Sequence, residues 1–237
     1  MKLKKSVKKA IIATITIVSV IIVTGLLITL ILFVKKLNRF DYKDHLDETV
    51  ITVDGENITL REFGYYVYQI EEYTQEQAIV YNPDNPGEWW NTHFSSGADS
   101  QFICDYAKDV AINLCIEDEI FYEEALSRGL ELNEDGEAKV RVDASDMINK
   151  MDFKQMSTTG LDEAIILEMT KKQLLSATYA EFLVNTADFY EYEEDPYNLI
   201  NWDGDYYQEE ILPNHSVQIN NELMDKIKFG KITVNYK

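Results

Sequence analysis

Apolar positions along this chain fall into three kinds of pattern: one unbroken run, several stretches at helical spacing, and two short stretches that alternate. The unbroken run is Ala10 to Val34, 25 residues without a formal charge and rich in Ile, Val, Leu and Thr. A helix of that length rises about 37 Å, more than the roughly 30 Å of a bilayer's hydrocarbon core. Residues 1–36 are therefore expected to form a basic N-terminus and a tilted transmembrane signal anchor, because a cleaved signal peptide has an apolar core of only about 7–15 residues. Residues 37–48 follow as a short charged linker.

Alternation then begins at Val50-Ile51-Thr52-Val53 and resumes after Asp54-Gly55 toward Ile58-Thr59, the pattern of a small hairpin. Thr59 and Glu62 stand three apart, as in a capping box. Leu60, Phe63, Val67, Ile70, Thr74, Ala78 and Tyr81 then predict a first helix over Leu60 to Tyr81. Pro83, Pro86, Gly87 and Gly97 make Asn82 to Asp99 a long loop, which carries Trp89, Trp90 and Phe94. A second helix is predicted from near Ser100 to Arg128, stopped by Gly129. A third is capped by Asn133 and runs through Val140, Met147, Ile148 and Met151 toward Met156. After Thr158-Thr159-Gly160, a fourth spans Leu161 to about Tyr190 and is expected to be the most buried. Pro196, Gly204 and Pro213 mark Glu191 to Ser216 as an extended wrap. Lys231 to Tyr236 alternates like a terminal strand that returns to the hairpin.

Charge gives the anchor its expected orientation and narrows the partners. Five lysines before the span, Lys2, Lys4, Lys5, Lys8 and Lys9, outnumber Lys35, Lys36 and Arg39 after it, which places the N-terminus in the cytoplasm and the body outside it. The first 40 residues hold 8 of the 22 basic residues and none of the 42 acidic ones. The remainder therefore sets 14 basic residues against 42 acidic, a net charge of −28. Such a body repels nucleic acid and anionic headgroups, so neither is an expected partner.

Candidate chemistry is sparse. Cys104 and Cys115 share one helix about 16 Å apart along its axis, too far for a disulfide, and read as buried free thiols. His45, His93 and His215 are scattered. No nucleophile elbow, phosphate loop, zinc or Cys-x-x-Cys motif is present. Asn201, Asp203 and Asp205 with Gly204 suggest calcium, but the glycine is misplaced for an EF-hand loop and Leu212 stands at its twelfth position, so a solvated acidic turn is preferred. No cofactor or metal is expected, and no catalytic residue is assigned. Trp89, Trp90 and Phe94 either line an apolar groove that grips unfolded segments or fold beneath their own loop. Met147, Met151 and Met156 are either an adaptable binding wall or, as their helical spacing favours, core.

The order of these elements resembles the N-terminal chaperone module of the SurA and PrsA group of extracytoplasmic foldases, a relative of the trigger factor substrate-binding region. The likeness covers roughly residues 49–184. It rests on the entry Val50 to Phe63, the helix end Glu123 to Leu132 around Gly129, the cap at Asn133, and Gly160-Leu161-Asp162-Glu163-Ala164. It implies a mainly α fold, with a helical module over 49–190 and an acidic extended segment and returning strand over 191–237. It also implies a membrane-anchored chaperone that binds unfolded, exported polypeptides; Trp89, Trp90, Phe94, Met147 and Met151, singled out by their own side-chain chemistry, are the peptide-binding candidates. Two departures stand out: Gly136 replaces the usual acidic residue three positions after the Asn133 cap, and the Trp-bearing loop is an apparent insertion. Many members also carry a parvulin peptidyl-prolyl isomerase domain before the returning segment. Here only Thr186 to Ser216, 31 residues, is available for it, fewer than the roughly 50 of a small domain. Asn214-His215-Ser216-Val217 is a faint echo of a parvulin entry. If the chain catalyses anything, the resemblance implies proline isomerisation at an unrecognised site. A structural or assembly subunit of a membrane or cell-envelope complex is the alternative from another class. Clients and oligomeric state are not legible.

Overall fold

The computed structural model describes residues 23–30, 40–95 and 100–234. The chain divides into two units, 1–41 and 42–237. In the first, residues 23–30 are helical. The expected span from Ala10 to Val34 otherwise lies outside the described residues, among which no helix is long and apolar enough to cross a membrane.

The second unit is mainly helical with a three-stranded antiparallel sheet. It begins earlier than the sequence suggests. The linker enters the fold through a 3₁₀ turn, Tyr42–His45, whose Tyr42 is buried and donates its hydroxyl to the Leu60 carbonyl at 2.7 Å. Strand β1 (Thr49–Val53) turns through Asp54 and Gly55, both at positive φ, into β2 (Glu56–Thr59). That geometry is why an Asp-Gly pair stands there. Helix α1 (Leu60–Tyr81) follows at once, closed by the expected Thr59–Glu62 capping box.

A 3₁₀ helix over Pro86–Asn91 interrupts the next loop. Helix α2 (Ile103–Ser127) ends at Gly129, φ +69°. The Asn133 side chain accepts from the Gly136 N–H at 2.8 Å and opens α3 (Glu134–Lys150). Here the expected single helix to Met156 is two. Asp152 and Gln155 form a second capping box that starts α4 (Phe153–Thr159), and Gly160 terminates it at φ +70°. Two side-chain-to-backbone bonds of 2.8 Å outcompete continuation of the apolar period. Asp162 caps α5 (Glu163–Thr186).

Helix α2 packs between α1 and α5, α3 lies on α5, and α4 braces α1. The most buried helix is α1, not α5: eleven of its 22 residues are inaccessible, among them Phe63, Tyr65, Tyr66, Val67 and Glu71. It meets sheet, helices and tail together, so no side of it is fully spared.

Two expectations for the last segment are corrected. Residues 191–216 are not an extended wrap, since they form α6 (Pro196–Ile200), a π turn over Tyr207–Ile211 and a 3₁₀ turn over Leu212–Asn214. Leu199, Ile200 and Tyr207 are buried, so these turns are pulled in by apolar contact. The strand that joins the hairpin is β3 (Val217–Ile219), paired antiparallel with β1 through Ile51–Ile219 and Val53–Val217. His215 fixes that register by binding Asp54 through Nδ1 at 2.6 Å, while the Ser216 N–H donates to the same carboxylate at 2.7 Å. After α7 (Asn221–Met224), residues 231–234 form no strand. They are occupied with Glu71. One carboxylate oxygen accepts from the N–H groups of Gly230, Lys231 and Ile232 and the other from the N–H and hydroxyl of Thr233. Gln155 ties the same stretch down by donating to the Thr233 carbonyl at 2.7 Å.

Candidate functional site

The Pro86–Asn91 turn separates the two neighbouring tryptophans. Trp90 points inward, only 2 % exposed, and donates its indole N–H to the Gln75 side chain at 2.9 Å. Its ring lies so close to Gly230 that a Cβ there would come within 2.6 Å of it. Trp90 is thus core, held between α1 and the C-terminal tail, and not a ligand contact.

Trp89 and Phe94 go the other way. Both line an apolar groove of about 390 Å³ whose walls are Ile70, Tyr73 and Thr74 of α1 and Ile103, Tyr106 and Val110 of α2. Aromatic contacts brace them: Trp89 leans on Tyr81 with ring centroids 4.7 Å apart, and Phe94 stacks on Tyr106 at 4.1 Å and 8°. Phe94 is 56 % exposed and Tyr73 64 %. Large aromatic faces left open to water beside a pocket lined by Ile and Val form an exposed apolar surface among the described residues.

A second groove, of about 580 Å³, lies between α1, α3 and α5. Tyr73 lines both grooves. The second is polar. Its lining includes Tyr65, Tyr68 and Gln69 with Gln173, and its charged groups are Glu72, Glu76, Asp143 and Asp146 with Lys139 and Lys150. Tyr65 donates to Gln173 at 3.1 Å, and Gln173 reaches Asp118 below at 3.3 Å. Met147 is buried in its lining, whereas Met151 is buried at the α3–α4 junction. The structure therefore brings Trp89 and Phe94 together, sends Trp90 and Met151 to the core, and leaves Met147 largely covered beside a different groove. Ile70 and Val110 read in the sequence as the apolar faces of their helices, and Tyr73, outside the apolar period of α1, carried no signal of a groove wall.

Beneath the grooves, α2 carries a row of acids. Glu119 pairs with Lys172 at 2.6 Å, both largely covered. Asp118 accepts from Ser176 at 2.7 Å, and burial pushes its carboxyl up to about 6. Burial raises Glu117 further, to about 8, with Asp118 and Asp203 adding repulsion. Asp118 and Glu119 are held by the α5 side chains Gln173, Ser176 and Lys172.

The remaining sequence candidates are placed singly. His45 binds Glu48, His93 meets Ser100, and His215 is spent on Asp54. Cys115 is buried as expected, but Cys104 is half-exposed, and both thiols are free. Asn201 donates to Asp203 within its turn, and Gly204 has no room for a Cβ against the Asn198 and Leu199 carbonyls. Among the described residues no three His, Cys, Asp or Glu side chains gather as a metal site. Comparison with protein-family models, curated proteins and solved structures gives no match in any of the three.

Proposed function

We propose that this chain is a membrane-anchored, extracytoplasmic chaperone of the foldase type that binds unfolded, exported polypeptides in the groove between Trp89, Phe94 and Tyr73. The supporting observation is the groove itself: aromatic side chains held open by their own neighbours beside aliphatic walls. Such faces bind many sequences because they require area, not a matching hydrogen-bond pattern. The net charge of −28 beyond residue 40 keeps such a surface soluble and sets it against nucleic acid. An anchor over Ala10 to Val34 with Lys2 to Lys9 inside supports this reading, because such a topology would hold the groove where chains emerge from the membrane. The resemblance to the SurA and PrsA modules points the same way. No covalent step is part of this reading.

The test is suppression of aggregation of a chemically denatured client by the full-length protein in mild detergent. Trp89→Ala with Phe94→Ala is expected to weaken client binding about tenfold or more, with the helical circular dichroism retained. Absence of suppression by the wild type at molar excess, together with absence of binding to an unfolded client, overturns the proposal.

A further inference from the structure

The apolar groove does not end at Tyr73. That side chain is shared with the three-helix groove, so an extended chain lying across α1 passes from an aromatic surface onto an acidic one. In the acidic groove Lys139 is already paired with Asp143 at 2.6 Å. Among the described residues no cation is ion-paired with Glu72, Glu76 or Asp146, and Lys150 is the one other basic residue lining this groove. Glu72 is half-buried, which strengthens its pull on a positive charge relative to a fully solvated carboxylate.

A second observation marks the same place as a ligand surface. Tyr68 lines this groove and is 3 % exposed, and among the described residues its hydroxyl is a buried side-chain polar atom that has no hydrogen-bond partner. Native folds satisfy nearly all such atoms, so an orphan on a groove wall points to a partner that arrives with a ligand. Main-chain amides and carbonyls of an extended polypeptide supply partners of that kind, whereas Gln69 and Gln173 along the same wall already bond each other at 3.2 Å. The ring of Tyr73, 64 % exposed, adds a face that attracts an ammonium or guanidinium group.

From this juxtaposition we infer that the preferred client is a bipartite segment: apolar or aromatic residues that seat between Trp89 and Phe94, followed within a few residues by lysine or arginine that seats against Glu72, Glu76 and Asp146. The inference rests on the chaperone reading and names its substrate class. Basic flanks also suit a protein whose net charge is −20, but the inference places the selectivity in one groove and not in that overall charge.

Isothermal titration of the full-length protein in mild detergent with three end-blocked peptides decides it. All share a pair of phenylalanines, followed by a pair of lysines, of serines or of glutamates. The lysine peptide is expected to bind about tenfold more tightly than the glutamate peptide, the sum of two modest ion pairs. In Glu72→Gln with Asp146→Asn, both at accessible positions, that preference falls to near parity while the serine peptide binds as before. Equal binding of all three by the wild type refutes the inference and leaves the chaperone reading standing. A preference that survives in the double variant also refutes it, because overall charge is then the cause. Binding of none of the three refutes both.

Discussion

Glu71 is the perturbation whose consequence the structure determines most fully. Its side chain is 0 % exposed, at the middle of the most buried helix, and its carboxylate collects five donors from Gly230 to Thr233. Burial holds the carboxyl above its ordinary value, and those donors pull it only part of the way back. Four of the five partners are backbone N–H groups that can only donate, so an acid proton on Glu71 would find an acceptor in the Thr233 hydroxyl alone and would displace the bond that hydroxyl makes. The group therefore acts as the anion of a backbone nest. Glu71→Gln keeps the shape but turns one oxygen into a second donor that faces at least two N–H or O–H groups. Each lost charge-assisted bond is worth about 1.5–3 kcal/mol, so the expected loss is about 3–5 kcal/mol, as for a buried ion deprived of its complement. With a slope of about 1–3 kcal/mol per molar urea, the midpoint drops by roughly 2 M. Urea titration at neutral pH, read by circular dichroism and tryptophan fluorescence, measures it, and Trp90 beside Gly230 reports the tail locally. Amide exchange at 230–233 is expected to accelerate in the same variant. A stability within about 1 kcal/mol of wild type would mean that Glu71 is already neutral, and the nest account would fail.

Two further outcomes follow from buried groups away from the grooves. Glu117 moves from an ordinary 4.5 to about 8 on folding, so between those values the folded state holds a proton that the unfolded state releases. Stability is therefore highest below about pH 4.5 as far as this group is concerned, and declines as pH rises toward 8. Glu117→Gln should flatten that slope, and a profile unchanged by the substitution would show that the group is not held protonated against Asp118 and Asp203. For the thiols, maleimide is expected to label half-exposed Cys104 well ahead of buried Cys115, with the two equalised in denaturant. Equal rates in the native state would contradict their placement.

What the sequence made legible was local. Asp54-Gly55 specifies its turn and Thr59 with Glu62 its cap through contacts a few residues long, and both stand as read. Asp152 and Gln155 were equally readable, but the apolar period running from Val140 to Met156 masked the break they impose. The third strand was misplaced because alternation favoured Lys231 to Tyr236, whereas Val217–Ile219 is only three residues long and is chosen by pairing with β1 far away in sequence. Residues 230–233 were unavailable to a sheet because Glu71 claims their N–H groups, a demand that one glutamate in a helix does not announce. The site divides in the same way. Aromatic residues in a loop signalled apolar surface, but the 3₁₀ turn that sends Trp90 inward and leaves Trp89 beside Tyr81 depends on Gln75, Gly230 and the tail. The acidic groove escaped notice since its members come from three helices and meet only when α3 and α5 close on α1.

The central claim is that unfolded polypeptide lies in the groove beside Phe94, and site-specific photocrosslinking tests it most directly. A benzophenone amino acid at position 94 of the protein is expected to capture an unfolded client and not its folded form, while the same probe at exposed Phe153 on α4 captures neither above background. Equal capture from both positions, or none from position 94 while the client is demonstrably bound, would contradict the account.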